Sequence, residues 1–266
     1  MLLTKKRAWK IALMTVCYFL LGCFCLYRAT QLRAAGQSSG ALLTLAIVCY
    51  VLCPLIVLWG LYAEGKGRLL QKGNRLVRFE LRPGEFLKQY HALREEKLVL
   101  CRPSVELLVL LTSAYDTVGD RDGALAAADA AIDASRGKQR TVSKLFKASL
   151  LFSFDRIDEA EALFVEAQGE AQNATSRYVI DMIRHSDRAM AMGDYTDAQV
   201  YNLGLLQRAF PRLDPLGIVS VHFTLGVLYE RMEKPTEAIS YYRFCVANGN
   251  ETSYRTFAAE ALERLT

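Results

Sequence analysis

LGVLYERMEKPTEAISYYRFCVANG, residues 225–249, is the stretch on which the fold of this 266-residue chain turns. Leu225, Gly226 and Tyr229 share one face of an apolar helical run, and a polar turn around Pro235 follows. A second run then places Ala238, Tyr242 and Cys245 at helical intervals. Two antiparallel helices approach closely only where one presents a small side chain. A large residue from its partner then fills the adjoining groove.

The same arrangement recurs upstream. Residues 114–134 (AYDTVGDRDGALAAADAAIDA) supply Tyr115, Gly119, Ala124, Ala128 and Ala131, and residues 154–167 (FDRIDEAEALFVEA) supply Ala160, Phe164 and Ala167. Residues 189–211 supply Gly193, Tyr195, Ala198 and Leu205, with Asn202 where the pattern wants an aromatic. The early alanines Ala124, Ala160, Ala198 and Ala238 are 36, 38 and 40 residues apart.

Residues 225–249 resemble the tetratricopeptide repeat, whose first helix carries Leu-Gly then Tyr and whose second carries Ala, an aromatic and a small residue. The spacing slightly exceeds that family's period of about 34 residues, and short extra turns absorb the excess. The resemblance covers residues 103–266. It implies helix pairs stacked as an α-solenoid, because no pair buries its apolar face alone. Residues 254–265, with Phe257, Ala258, Ala261 and Leu262 on one face, are then the capping helix.

In that family the first helix of each pair lines the concave groove. Carried over by register, the resemblance implies a surface of Val109, Ser113 and Asp116, then Leu145, Ser149 and Phe152, then Ile183, Asp187, Phe223 and Val227. Such a mixture suits an amphipathic helix or extended segment of a partner protein. Some family members grip a terminal carboxylate with Lys and Asn. Here Val109 and Ser113 stand at those positions, while Arg184 and Arg188, one turn apart, are expected to be solvated or paired with Asp181 and Asp187.

N-terminal to the array are two apolar runs. Residues 11–27 lack charge and sit near the short limit for a membrane span of about 20 residues. Residues 41–63 are longer and contain Pro54, with Trp59 and Tyr62 at the expected headgroup level. The turn between them is too short for a domain. The expected architecture is therefore all-α: a transmembrane hairpin in residues 1–63 (helices about 8–28 and 41–63), a juxtamembrane linker with an amphipathic helix in 64–102, and repeats in 103–266.

Charge agrees with that division. No Asp or Glu precedes Glu64, so the net charge of +5 is carried by the N-terminal segment. Lys5, Lys6, Arg7 and Lys10, and then Lys66, Arg68, Lys72, Arg75 and Arg78, lie where anionic lipid headgroups would be. They suggest lipid contact rather than nucleic acid. They outnumber Arg28 and Arg33 in the turn, which places both termini in the cytoplasm, in the style of a bacterial inner-membrane protein. A cleaved signal peptide is the competing reading of residues 11–27.

Five of the seven cysteines, Cys17, Cys23, Cys25, Cys49 and Cys53, lie in the apolar runs, and only Cys101 and Cys245 lie in the rest. That pattern forms neither a disulfide framework nor a zinc site. His91, His185 and His222 are scattered, and no hydrolase or phosphate-binding motif occurs, so no enzyme, cofactor or metal is expected. Asn250 is expected to cap the final helix. Two functions fit: a membrane-anchored scaffold presenting the groove, or an accessory subunit of a membrane enzyme or transporter that docks through its hairpin, where Gly22, Cys23, Ala46 and Cys49 permit close packing. Oligomeric state is not legible.

Overall fold

The computed structural model describes residues 5–36, 38–95, 103–171, 173–209 and 213–266, and side chains within them except at 5–12, 51–54, 56–66, 175 and 208–209. Readings that rest on Lys5, Lys6, Arg7, Lys10, Cys53, Pro54, Trp59, Tyr62, Lys66 or Cys101 lie outside these. Every regular element among the described residues is helical. The chain is all-α and divides into two compact units, Met1–Leu69 and Leu70–Thr266.

In the first unit, α1 (Lys5–Ala34) contains Leu13–Ala34, the one described helical stretch long and apolar enough to cross a membrane. The second helix, α2 (Gly40–Asn74), opens with the shorter apolar run Gly40–Tyr50. It continues well beyond residue 63, because the Lys, Arg, Leu and Gln that follow are good helix formers. Small residues face inward: Gly22, Cys25 and Ala29 on α1 and Ala46 and Cys49 on α2 are buried. A β-carbon at Gly22 would lie 3.2 Å from the Tyr50 ring and 3.5 Å from Cys49 Cβ. Phe19 meets Tyr50 edge to face at 5.6 Å. Leu13, Phe19, Leu20, Phe24, Tyr27 and Ile47 face outward.

The second unit begins in the last turn of α2. A π-helical turn, Arg75–Phe79, follows, closed by Glu80 N–H donating to Arg75 O at 2.8 Å. The backbone reverses at Leu81 (φ 55°) and enters α3 (Pro83–Glu95). Gly73 makes this possible, since a β-carbon there would lie 2.5 Å from the Phe86 ring and 2.7 Å from Leu110.

Helices then come in pairs. α4 (Val105–Val118) is capped by Ser104 and stopped by Gly119 at φ 84°. α5 (Arg121–Ala134) is capped by Asp120 and turns Ala124, Ala128 and Ala131 inward. Between α6 (Lys138–Ser153) and α7 (Ile157–Glu170), Ala148, Leu151, Phe152, Ala160 and Phe164 form a core. Lys144 is buried beside it. Desolvation disfavours its charge, but hydrogen bonds to Glu166 (2.8 Å) and Glu170 (2.6 Å) more than restore it and raise its pKa.

α8 (Ala174–Met192) and α9 (Tyr195–Ala209) follow, separated by Gly193 at φ 84°. The anomalous Asn202 is buried because its Nδ2 donates back to Ala198 O at 2.9 Å. In α10 (Pro215–Arg231) and α11 (Pro235–Asn248) the pattern of residues 225–249 acquires its cause. A β-carbon at Gly226 would lie 2.6 Å from the ring of buried Tyr242, whose hydroxyl donates to Glu230 at 2.6 Å.

The last helix, α12 (Ser253–Leu265), packs on α10 and α11 and also meets α4, so the two ends of the array touch. The segment before α3 is fastened to the same place. Leu81 enters the core of Val219, Tyr242 and Ala258, Glu251 N–H donates to Leu81 O at 3.1 Å, and Arg82 pairs with Glu251 at 3.2 Å. Asn250 does not cap α12. It sits at φ 45° and gives its side-chain amide to Glu80 O at 2.6 Å, a long-range tie that local sequence cannot show.

Candidate functional site

The first helices of successive pairs turn one face toward the middle of the second unit and, with α12 and the π-helical turn, enclose a cavity of about 880 Å³. Ser113 and Asp116 reach it from α4, Ser149 and Phe152 from α6, Asp187 from α8, and Phe223 and Val227 from α10. Those seven of the eleven residues expected in the groove share one wall-lined space.

The other four do not line it. Leu145 and Ile183 pack on the core between α6, α7 and α8, and Val109 is half-buried elsewhere. Each lies one turn before a lining residue: Leu145 before Ser149, Ile183 before Asp187 and Val109 before Ser113. The cavity sits nearer the helix C-termini, with Thr117, Ser153, Ala191 and Arg231 also in its lining. Arg184 faces α7, where it donates to Glu161 at 2.7 Å, and Arg188 lies 3.8 Å from the same carboxylate. The expected pairing with Asp181 and Asp187 is not found. Asp181 accepts from Gln168 and Asp187 from Ser149.

Several lining residues could not be inferred from the repeat pattern. Arg78 comes from the π-helical turn and Tyr254 from α12, and both arrive only because the ends of the array meet. Asp214 has a double task, accepting from Gly217 N–H at 2.8 Å as the cap of α10 and pairing with Arg78 at 3.3 Å. The Asp-Pro sequence at 214–215 was the available signal for the cap.

Charge is unevenly distributed on these walls. Burial pushes Asp116 up to about 6, with Arg121 acting in the opposite direction. Burial likewise pushes Asp187 up to about 6, against the hydrogen bond that Ser149 donates to it at 2.7 Å. Both carboxylates open on the cavity but are ringed by protein, so water solvates them poorly. Neither has a described Lys, Arg or His within ion-pair distance. Their fields reach neighbours: burial and then Asp116 raise the Tyr254 phenol, and burial and then Asp187 raise that of Tyr201.

Two titratable groups outside the cavity are shielded by the core. Burial pushes the Cys245 thiol up to about 12, and its Sγ lies 3.6 Å from Val219 O. His222 stacks on Phe244 with centroids 3.7 Å apart and donates Nδ1–H to Ile218 O, while burial lowers its pKa. Among the described residues no three His, Cys, Asp or Glu side chains converge as metal ligands. The cavity combines apolar walls, several hydroxyls and two half-buried carboxylates. No protein-family model, curated protein or solved structure matches the chain.

Proposed function

We propose that this is a membrane-anchored interaction protein whose α-solenoid of tetratricopeptide-like pairs receives a segment of a partner protein in its central cavity. The observation that carries this reading is the cavity itself, built from inward faces of four successive first helices. The close fit of Gly226 on Tyr242 and of Gly123 on Tyr115 supports the repeat assignment, since it is the packing that the resemblance implies.

For the anchor, the support is the exposure of Leu13, Phe19, Leu20 and Phe24 around a buried seam of small residues. Side chains of that kind facing outward fit lipid. In our reading both runs span the membrane, both termini are cytoplasmic, and the basic residues flanking the hairpin meet anionic headgroups, as in a bacterial inner membrane. The hairpin-docking alternative is less favoured. Of the small residues it would use, Gly22, Ala46 and Cys49 already face the hairpin's own interior, and only Cys23 is exposed.

The test is photocrosslinking in intact cells from a reactive residue at Phe152. A discrete protein adduct, lost when Phe223 is changed to Glu in a chain that still folds, is the expected result. Adducts only to lipid or to the chain itself would turn attention to the hairpin. Orientation is tested separately by thiol labelling, which should reach a cysteine placed at Ser38 from outside the cell and miss one at Ser253.

A further inference from the structure

We propose that the cavity accepts a lysine or arginine side chain of the partner segment, its charge received by Asp116 or Asp187 and its aliphatic stem by Phe223 and Val227. The inference deepens the reading of the cavity as a partner site and rests on it.

The volume of about 880 Å³ lies within the range of roughly 300–1,000 Å³ typical of ligand sites. Within it the cationic lining is already committed or peripheral: Arg78 is paired with Asp214, and Arg231 is exposed at the end of α10. The carboxylates Asp116 and Asp187 remain without a basic partner, and exposed Asp155 adds a third negative charge at the wall. A carboxylate withdrawn from water and left unpaired is unfavourable, and an incoming cation removes that cost where a neutral or acidic group does not.

The rest of the lining selects among cations. A metal ion finds too few convergent ligands among the described residues. An ammonium or guanidinium brings three or five N–H donors, which the carboxylates and the hydroxyls of Ser113 and Ser220 can accept. Half-buried Phe223 and Val227 offer an apolar surface to a methylene stem. A free polyamine has charge along its length and little apolar mass for those walls, so a basic side chain within a protein segment is the better complement.

The experiment uses the full-length protein in detergent micelles. Four hexapeptide libraries, acetylated and amidated, carry Lys, Arg, norleucine or Glu at one fixed position with the others randomised. Capture of the Lys and Arg libraries should exceed that of norleucine by about tenfold or more, the value of a charge-assisted hydrogen bond. The preference should vanish in the Asp116→Asn/Asp187→Asn double variant and persist in Asp133→Asn, an exposed carboxylate on α5. The Asn substitutions keep shape and remove an unpaired charge, so thermal melting should show no loss of fold.

Equal capture of the norleucine library, or preference for Glu, overturns the proposal. Displacement of the peptides by spermidine at equal concentration overturns the assignment to a protein segment. Crosslinking from Phe152 that still yields a protein, with no cation preference here, removes this inference alone. Failure of both removes the partner site as well.

Discussion

The two units obey one packing rule in opposite senses. Among the described residues of Met1–Leu69 the small residues Gly22, Cys25, Ala29, Ala46 and Cys49 are buried and most of the large apolar ones are exposed. In Leu70–Thr266 small and large residues are buried together, as Ala160 with Phe164 and Gly226 with Tyr242. Small residues permit close helix approach in both. What differs is where the large apolar groups go, and under the anchor we propose the cause is solvent: water drives them inward, whereas lipid gives them no reason to leave the surface.

The largest effect is expected from emptying the core of the second unit. Phe164 is fully buried against Phe152, with ring centroids 5.7 Å apart, and Phe164→Ala should cost about 3–5 kcal/mol, read by chemical denaturation. Removal of a large side chain from the outward face of α1 should instead leave hairpin packing little changed.

Next in size is a matched pair of exposed residues. Leu20 and Val165 are 60% and 57% exposed. Arg at position 20 should oppose membrane insertion by about 2.5–3.5 kcal/mol, and Arg at position 165 should change stability by less than about 0.5 kcal/mol. Carbonate extraction reads the first and thermal melting the second. Equal, small effects would break the comparison and remove the anchor.

Closer in scale is the glycine contact. Gly226→Ala forces a β-carbon into the Tyr242 ring, and overpacking of about 1–3 kcal/mol should exceed the gain of about 1 kcal/mol in helix propensity. The same change at Gly204, which has nothing within 4 Å of an added β-carbon, should stabilise α9 slightly. Melting of the two variants side by side distinguishes packing from propensity.

The effect of pH runs through the two carboxylates of the cavity. Asp116 and Asp187 have folded-state values near 6, above the ordinary 3.8, so the stability they contribute is full below about 3.8 and is lost as pH rises through about 6. His222, held below its ordinary value, acts in the opposite direction as pH falls. Comparison with the Asp116→Asn/Asp187→Asn variant isolates the carboxylates. The variant should melt higher than the parent chain at pH 7.5, and the difference should narrow at pH 5.

Helix content was readable wherever local periodicity and caps agreed. Ser104, Asp120, Asn173 and Asp214 each accept a hydrogen bond from the start of their helix, and Gly119 and Gly193 end theirs at φ 84°. The helix of the second apolar run extends past the change in polarity after residue 63, as far as Asn74. Depth along the first helices has no signature in the sequence. Repeat periodicity fixes which face of a helix looks inward, whereas the position of the cavity along the axis depends on how neighbouring helices slide.

The sequence by itself determined the all-α class, the apolar N-terminal runs, and the pairing of small with aromatic residues that spaces the helices. These are local or nearest-neighbour properties, expressed within one or two turns. Only the tertiary structure decided that Leu81 and Asn250 bind the start of the array to its end, that Arg78 and Tyr254 join the lining of the cavity, and that Asp116 and Asp187 become half-buried with no described basic side chain within ion-pair distance. Such outcomes join residues far apart in the chain, and neither solvation nor closure has a local signature.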